Sequence, residues 1–347
     1  MTQHAPLRPG AKCGLQATEE NAGLDTFFLL MNTKRYASGA CLRLGPTAAR
    51  MAAGFFLLYL TLWLAACSSA PVAPVTVEPL PVPQTAKRPP RIGLALGGGA
   101  ARGFAHVGVI QVLEEAGIKP DLVAGTSAGS LVAALYASGR TGAQLQLVAD
   151  GMEEAAFTDW TLPFFSRGML RGDALARYVN TQVGNKLIES MPLPLGIVAT
   201  DLNSGQGILF RRGDTGSAVR ASSAVPSIFV PVRIGGHEYV DGGLVSPVPV
   251  RYAREMGADL VIAVDISSAP EGNPAGDPLQ ILLQTFAIMG KSINAYELRD
   301  ADLVVRPALP GVKGSDFASR RKAIDAGRLA MQQLLPQLRQ AIEAKSK

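Results

Sequence analysis

The stretch RIGLALGGGAARGFAHVGVIQVLEEAGIKPDLVAGTSAGSLVAALYAS, residues 91–138, contains two strand-to-helix handovers, each marked by glycine. Residues 91–96 are a short apolar run stopped by Gly97-Gly98-Gly99. Residues 105–116 place Val109, Val112 and Leu113 at helical spacing, with Gly117 as a C-terminal stop. Residues 121–124 read as a second strand halted by Gly125. Residues 127–138 follow as a helix of small and apolar residues, the composition of a helix buried against a sheet. Working outward, residues 195–200 and 259–266 are buried-strand candidates, and residues 206–210 and 228–240 look like hairpin strands near one edge. Residues 278–299 and 317–344 are long helical stretches with a strand at 303–305 between them. Strands alternating with helices predict an α/β fold with a mainly parallel sheet covered on both faces.

Composition narrows the function classes. The chain has 347 residues, and at 48% apolar its bulk is folded rather than disordered, in one or two domains. Net charge is +5, but residues 1–66 hold six basic and three acidic residues, which leaves 27 against 25 from Cys67 onward. That balance does not suit a nucleic-acid partner. The three cysteines are Cys13, Cys41 and Cys67, so residues 68–347 offer no disulfide, thiol nucleophile or thiolate metal site. His4, His106 and His237 are too scattered for a zinc motif. No metal or organic cofactor is expected.

The N-terminal region reads as targeting. Residues 51–66, MAAGFFLLYLTLWLAA, are apolar and uncharged, and Lys34, Arg35, Arg43 and Arg50 precede them. The run is short for a spanning helix and has the order of a secretory signal. It ends in Leu64-Ala65-Ala66-Cys67, which resembles the lipobox of bacterial lipoproteins. That resemblance implies lipid attachment at Cys67. With Ser68 and Ser69 next, it also implies the periplasmic face of an outer membrane. A tilted signal anchor with an incidental cysteine is the rival. Residues 67–90 carry prolines at 71, 74, 79, 81, 83, 89 and 90 and form an extended tether. Expected organisation is thus a signal region at 1–66, a tether at 67–90 and a catalytic domain at 91–347.

Chemistry concentrates at the two glycine turns, since ligands of open α/β sheets bind where strands hand over to helices. Gly125-Thr126-Ser127-Ala128-Gly129 is a G-x-S-x-G, whose small flanking residues let a nucleophile sit on a strained strand-to-helix turn. There Ser127 is exposed above a helix N-terminus. A structural turn is the plainer alternative. Gly97-Gly98-Gly99-Ala100-Ala101-Arg102-Gly103 presents several N–H groups to an anion. A dinucleotide loop fits it poorly, because Arg102 occupies the last glycine position of G-x-G-x-x-G and no acidic residue ends the next strand. A Walker lysine is also missing. An oxyanion hole serving Ser127 fits better.

Serine needs a base. The only histidine after Ser127 is His237, in Gly235-Gly236-His237, which reads as a hairpin turn. Asp241, followed by Gly242-Gly243, is the other candidate, against the plain reading of an Asp-Gly turn. Both remain open on spacing alone.

Together, GGGAARG (97–103), GTSAG (125–129) and DGG (241–243) resemble the patatin-like phospholipases, a family that includes the lipase domain of neuropathy target esterase. Supporting pieces are RGFAHVGVIQVLEEAGI (102–118), ATDLNSG (199–205), ASSAVPSIFVPV (221–232) and DGGLVSPVPV (241–250). The resemblance implies a three-layer α/β/α sandwich that hydrolyses acyl esters of membrane lipids without metal or cofactor. By position, Ser127 becomes the nucleophile and Asp241 its base. Gly98, Gly99 and Gly103, with Arg102 ordering the loop, become the oxyanion hole. Ala100 departs from relatives that keep a further glycine. That departure matters only if the position requires positive φ. His106 is expected to pack rather than react. The competing functions are an esterase of α/β-hydrolase type using Ser127 and His237, and a non-enzymatic lipid-binding envelope protein.

Overall fold

A computed structural model describes residues 88–153, 159, 167–270 and 276–346. The signal region, Cys67 and the tether up to residue 87 lie outside the described residues. The described residues belong to one compact unit, Pro83–Lys347.

Its centre is the strand β1 (Ile92–Leu96), buried along its whole length. It pairs in parallel with β2 (Leu122–Thr126) on one edge and with β9 (Leu260–Val264) on the other. Both neighbours are also buried throughout, as expected of strands covered on two faces. The sheet order is β10-β9-β1-β2-β4-β8-β7, with β10 at Leu303–Val305, β4 at Leu195–Asp201, β7 at Val232–Ile234 and β8 at His237–Asp241. Pairing is parallel from β10 to β4 and antiparallel beyond it. The short β5 (Gly207–Phe210) also lies antiparallel on β4. A mainly parallel α/β sheet is therefore confirmed.

Side chains alternate between two helical layers. Ile92, Leu94 and Leu96 of β1 pack with α1 (Phe104–Glu115), α2 (Ala128–Ala137), α3 (Gly142–Asp150), α4 (Asp173–Gln182), α5 (Thr215–Ser222) and the long α8 (Arg320–Lys345). Ala95, Ala124 and Ala263 face the other way, against Val250 and Ala253 of α6 (Val250–Glu255). Large side chains on one face and alanines on the other make the layers unequal. Beside the second layer runs α7 (Pro278–Glu297), which buries only Gly290, Asn294 and Glu297. Among the described residues no helix is long and apolar enough to cross a membrane.

Two departures from the periodicity reading stand out. The stretch 228–240 is not one hairpin. Pro231 lacks an N–H and interrupts it, so β6 (Ser227–Phe229) leaves the main sheet and pairs with β3 (Gly168–Leu170), while β7 and β8 form the hairpin. Gly235 and Gly236 turn that hairpin with φ of 58° and 85°, the left-handed pair that a two-residue turn needs. The helices α3 to α6, six to ten residues long, were not read from the sequence because so few turns leave only a brief pattern.

Candidate active site

Register on β4 builds the site. Ile197 and Val198 pair with both β2 and β5, so those two strands lie on opposite edges of β4. Ala199 and Thr200 pair with both β5 and β8, so β8 shares the edge used by β2. Thr126 ends β2 opposite Val198, and Asp241 ends β8 opposite Ala199. The strands run head-on into one another, and their C-terminal ends bring together two residues 114 positions apart in sequence.

Ser127 sits just beyond β2 at φ 52°, ψ −124°, a strained backbone for a residue with a side chain. Close packing holds it there. A Cβ on Gly129 would run into the Leu96 carbonyl oxygen, and one on Gly125 would lie 2.5 Å from the Gly129 oxygen. Only glycines allow the turn to fold onto the end of β1. The Ser127 N–H donates to Ser222 Oγ at 2.8 Å, and Ser222 Oγ donates in turn to the Val198 carbonyl at 2.6 Å. Ser127 Oγ donates to Asp241 Oδ2 at 2.7 Å.

Asp241 is 7% exposed. Its other oxygen accepts the Gly243 N–H at 2.7 Å, and its backbone carbonyl accepts Thr200 Oγ1 at 2.8 Å. Burial pushes its carboxyl up to about 6, against the opposing pull of the Gly243 and Ser127 hydrogen bonds. A carboxylate of this kind is ionised at neutral pH and more basic than an exposed one.

The glycine loop lies directly against Ser127, where a Cβ on Gly98 would come 3.1 Å from the Ser127 Cβ. One expectation for this loop needs correction. The Gly98 N–H is committed to the Pro247 carbonyl at 2.9 Å, so Gly98 provides close approach rather than a free donor. Gly103 sits within a 3₁₀ turn over Ala100–Gly103. The N–H groups of Gly99 and Ala100 form no hydrogen bond to any described residue. Arg102 shapes the loop through its backbone, donating its N–H to Gly99 at 3.2 Å, while its buried Nε has no hydrogen-bond partner among the described residues. Burial lowers the Arg102 pKa and the nearby Asp265 opposes that shift. Ala100 stands at φ 51°, so the position does adopt the conformation that favours glycine.

Neither of the two described histidines hydrogen-bonds Ser127 or Asp241. His237 begins β8 four residues before Asp241, about 13 Å along the strand. Its Nδ1 lies 2.9 Å from Asp201 Oδ2, and its side chain is 62% exposed. The alternative pairing of Ser127 with His237 is therefore excluded by strand geometry. His106 is buried beneath the loop with Nε2 2.8 Å from the Gly97 carbonyl, and burial lowers its pKa to about 4. It is neutral and donates to Gly97.

Sequence reasoning missed Ser222, Thr200 and Thr126, which hold the site by hydrogen bonds. Thr126 Oγ1 donates to the Ser246 carbonyl at 2.9 Å and ties the turn before Ser127 to the segment after Asp241. Ser222 and Thr200 lay within stretches quoted only as supporting pieces, where hydroxyl residues carried no signal of their own. Beside Ser127 opens a cavity of about 210 Å³ with an almost wholly apolar wall, including Phe104 and Phe317, which meet edge-to-face at 5.7 Å.

Known proteins resemble this chain in sequence and in fold. Residues 94–254 match the family described as patatin-like phospholipase. An uncharacterized NTE family protein of Mycobacterium tuberculosis H37Rv is 38% identical over 189 residues, covering 54% of this chain and 52% of that one. The patatin-like phospholipase domain-containing protein 6 of Mus musculus is 37% identical over 188 residues, 52% of this chain and 14% of its own. The chain thus spans about half the length of the mycobacterial relative and a small part of the mouse one. Among solved structures, VipD from Legionella pneumophila shares the fold with a TM-score of 0.50 at 16% identity, over 72% of this chain and 68% of its own. Residues 94–254 are thus similar in sequence to the patatin-like phospholipases, and the chain shares its fold with VipD.

Proposed function

We propose that this protein is a serine hydrolase of lipid acyl esters, working through Ser127 and Asp241 without metal or organic cofactor. The observation that carries this is the 2.7 Å hydrogen bond to a buried carboxylate from Ser127 Oγ, whose residue lines an apolar cavity. In the first step Asp241 takes the Ser127 proton while Oγ attacks the ester carbonyl, and the alcohol leaves with that proton. Its basicity, raised by burial, suits a group that must accept a hydroxyl proton near neutral pH. The N–H groups of Gly99 and Ala100 receive the oxyanion beside the N-terminus of α2, each well-placed donor contributing about 3–4 kcal/mol. Water deprotonated by Asp241 then attacks the acyl-serine, and Asp241 returns that proton to Ser127 Oγ as the fatty acid leaves.

The substrate class comes from the family rather than from the dyad, and the relatives' names are consistent with it. Lipid attachment at Cys67, with residues 68–90 as a tether, would hold the domain at the periplasmic face of an outer membrane within reach of its substrate. The enzymatic reading is tested with wild type and Ser127→Ala on one acyl ester, following fatty-acid release and labelling by a serine-reactive fluorophosphonate. Wild type should turn over and label. Ser127→Ala should lose nearly all turnover, up to about six orders of magnitude in kcat, and all labelling. Equal turnover by the two proteins would overturn the assignment.

A further inference from the structure

The cavity beside Ser127 has a measurable depth. Ala128, Leu131, Val132 and Leu135 line it at spacings of three and four, so they form a single stripe down α2. Leu145 and Ala149 of α3 close it opposite. Among the described lining residues only Ser127 and Ser223 carry a hydroxyl.

We propose that this cavity takes one acyl chain of about eight to ten carbons and that the α2 stripe sets that limit. The proposal rests on Ser127 being the acyl-ester nucleophile and narrows the substrate to medium-chain esters. Two independent measures agree. An apolar cavity of about 150 Å³ holds the six carbons of benzene, so 210 Å³ holds about eight. From Ser127 to Leu135 the helix rises about 12 Å. An extended chain advances about 3.8 Å over three bonds, so that depth takes about nine bonds. Beyond this point a chain meets Leu135 and Leu145, which are 3% and 2% exposed and packed in the main core. A longer chain must leave carbons in water or displace that core. A second chain of a diacyl lipid finds no room beside the first.

The test is the chain-length profile of kcat/KM for p-nitrophenyl esters of four to sixteen carbons, kept below their aggregation concentrations, with the full-length protein. Each methylene that enters the cavity should raise kcat/KM by up to about fourfold. The rise should stop at eight to ten carbons and then level or fall. Ala149→Leu, which adds three carbons to the cavity wall, should move the break about three carbons shorter and lower the decanoyl-to-butyryl ratio. A profile that climbs unbroken to sixteen carbons, or one flat throughout, overturns the proposal. So does a folded Ala149→Leu with the wild-type break. If Ala149→Leu does not fold, the wild-type series decides alone. Failure of the nucleophile assignment looks different: Ser127→Ala would then hydrolyse the series like wild type.

Discussion

Replacing Asp241 by Asn should abolish turnover and make the protein more stable. In the folded protein burial raises the Asp241 carboxyl from 3.8 to about 6. That shift of about two pKa units corresponds to about 3 kcal/mol between the two protonation states. Between roughly pH 4 and 6 the folded state binds more protons at this site than the unfolded chain, so stability falls as pH rises through that window. Above it the full cost of burying the charge applies. Asparagine keeps the shape and removes the charge. Its amide oxygen can accept the Gly243 N–H, and its NH₂ can donate to Ser127 Oγ, the two contacts that the carboxylate makes now. Asp241→Asn should therefore gain about 2–3 kcal/mol at pH 8 and almost nothing near pH 4. In a domain of this size that is about 5–10 °C in Tm. Urea unfolding of both proteins at pH 8, 6 and 4.5 measures the gap directly. A variant no more stable than wild type at pH 8, or a gap that does not narrow with acid, would refute the account of a destabilising buried charge.

Other expectations follow from the same geometry. For wild type, log kcat/KM should rise with unit slope as pH increases toward about 6 and then level, because Asp241 must be ionised to accept the proton; a profile flat from pH 5 to 8 would contradict that role. His237→Ala should keep nearly all activity and lose at most about 1 kcal/mol of stability, since its imidazole is largely exposed and Asp201 keeps its Asn203 and Ser204 donors; steady-state kinetics and thermal unfolding check both. Ala100→Gly should raise stability by about 0.5–1 kcal/mol, the strain of a left-handed alanine less the added freedom of glycine when unfolded. Turnover should survive that change, because the position offers only its N–H.

What the chain declares locally is the alternation of elements around Gly97–Gly103 and Gly125–Gly129. Five consecutive buried residues in β1, stopped by Gly97, and in β2, which runs through Gly125 to Thr126, are the pattern of strands covered on both faces. G-x-S-x-G was legible because its steric demand is written in adjacent residues. Short helices were less so. α3 opens with a capping box of Thr141 and Gln144, and α5 with Asp214 accepting the Ser217 N–H, so their starts had signals while their apolar stripes were too brief to register. Asp241 was separable from His237 only by family resemblance, since spacing offered no distance between either one and Ser127. The tertiary structure brings Asp241 to Ser127 through β4, whose consecutive residues Val198 and Ala199 align the ends of β2 and β8. The raised Asp241 carboxyl, the commitment of the Gly98 N–H to Pro247 and the depth of the cavity belong to the same category. Each depends on which distant segments exclude water from a group or occupy its hydrogen bond. Local pattern specifies what a segment can form, whereas burial and partner choice are properties of the packed whole.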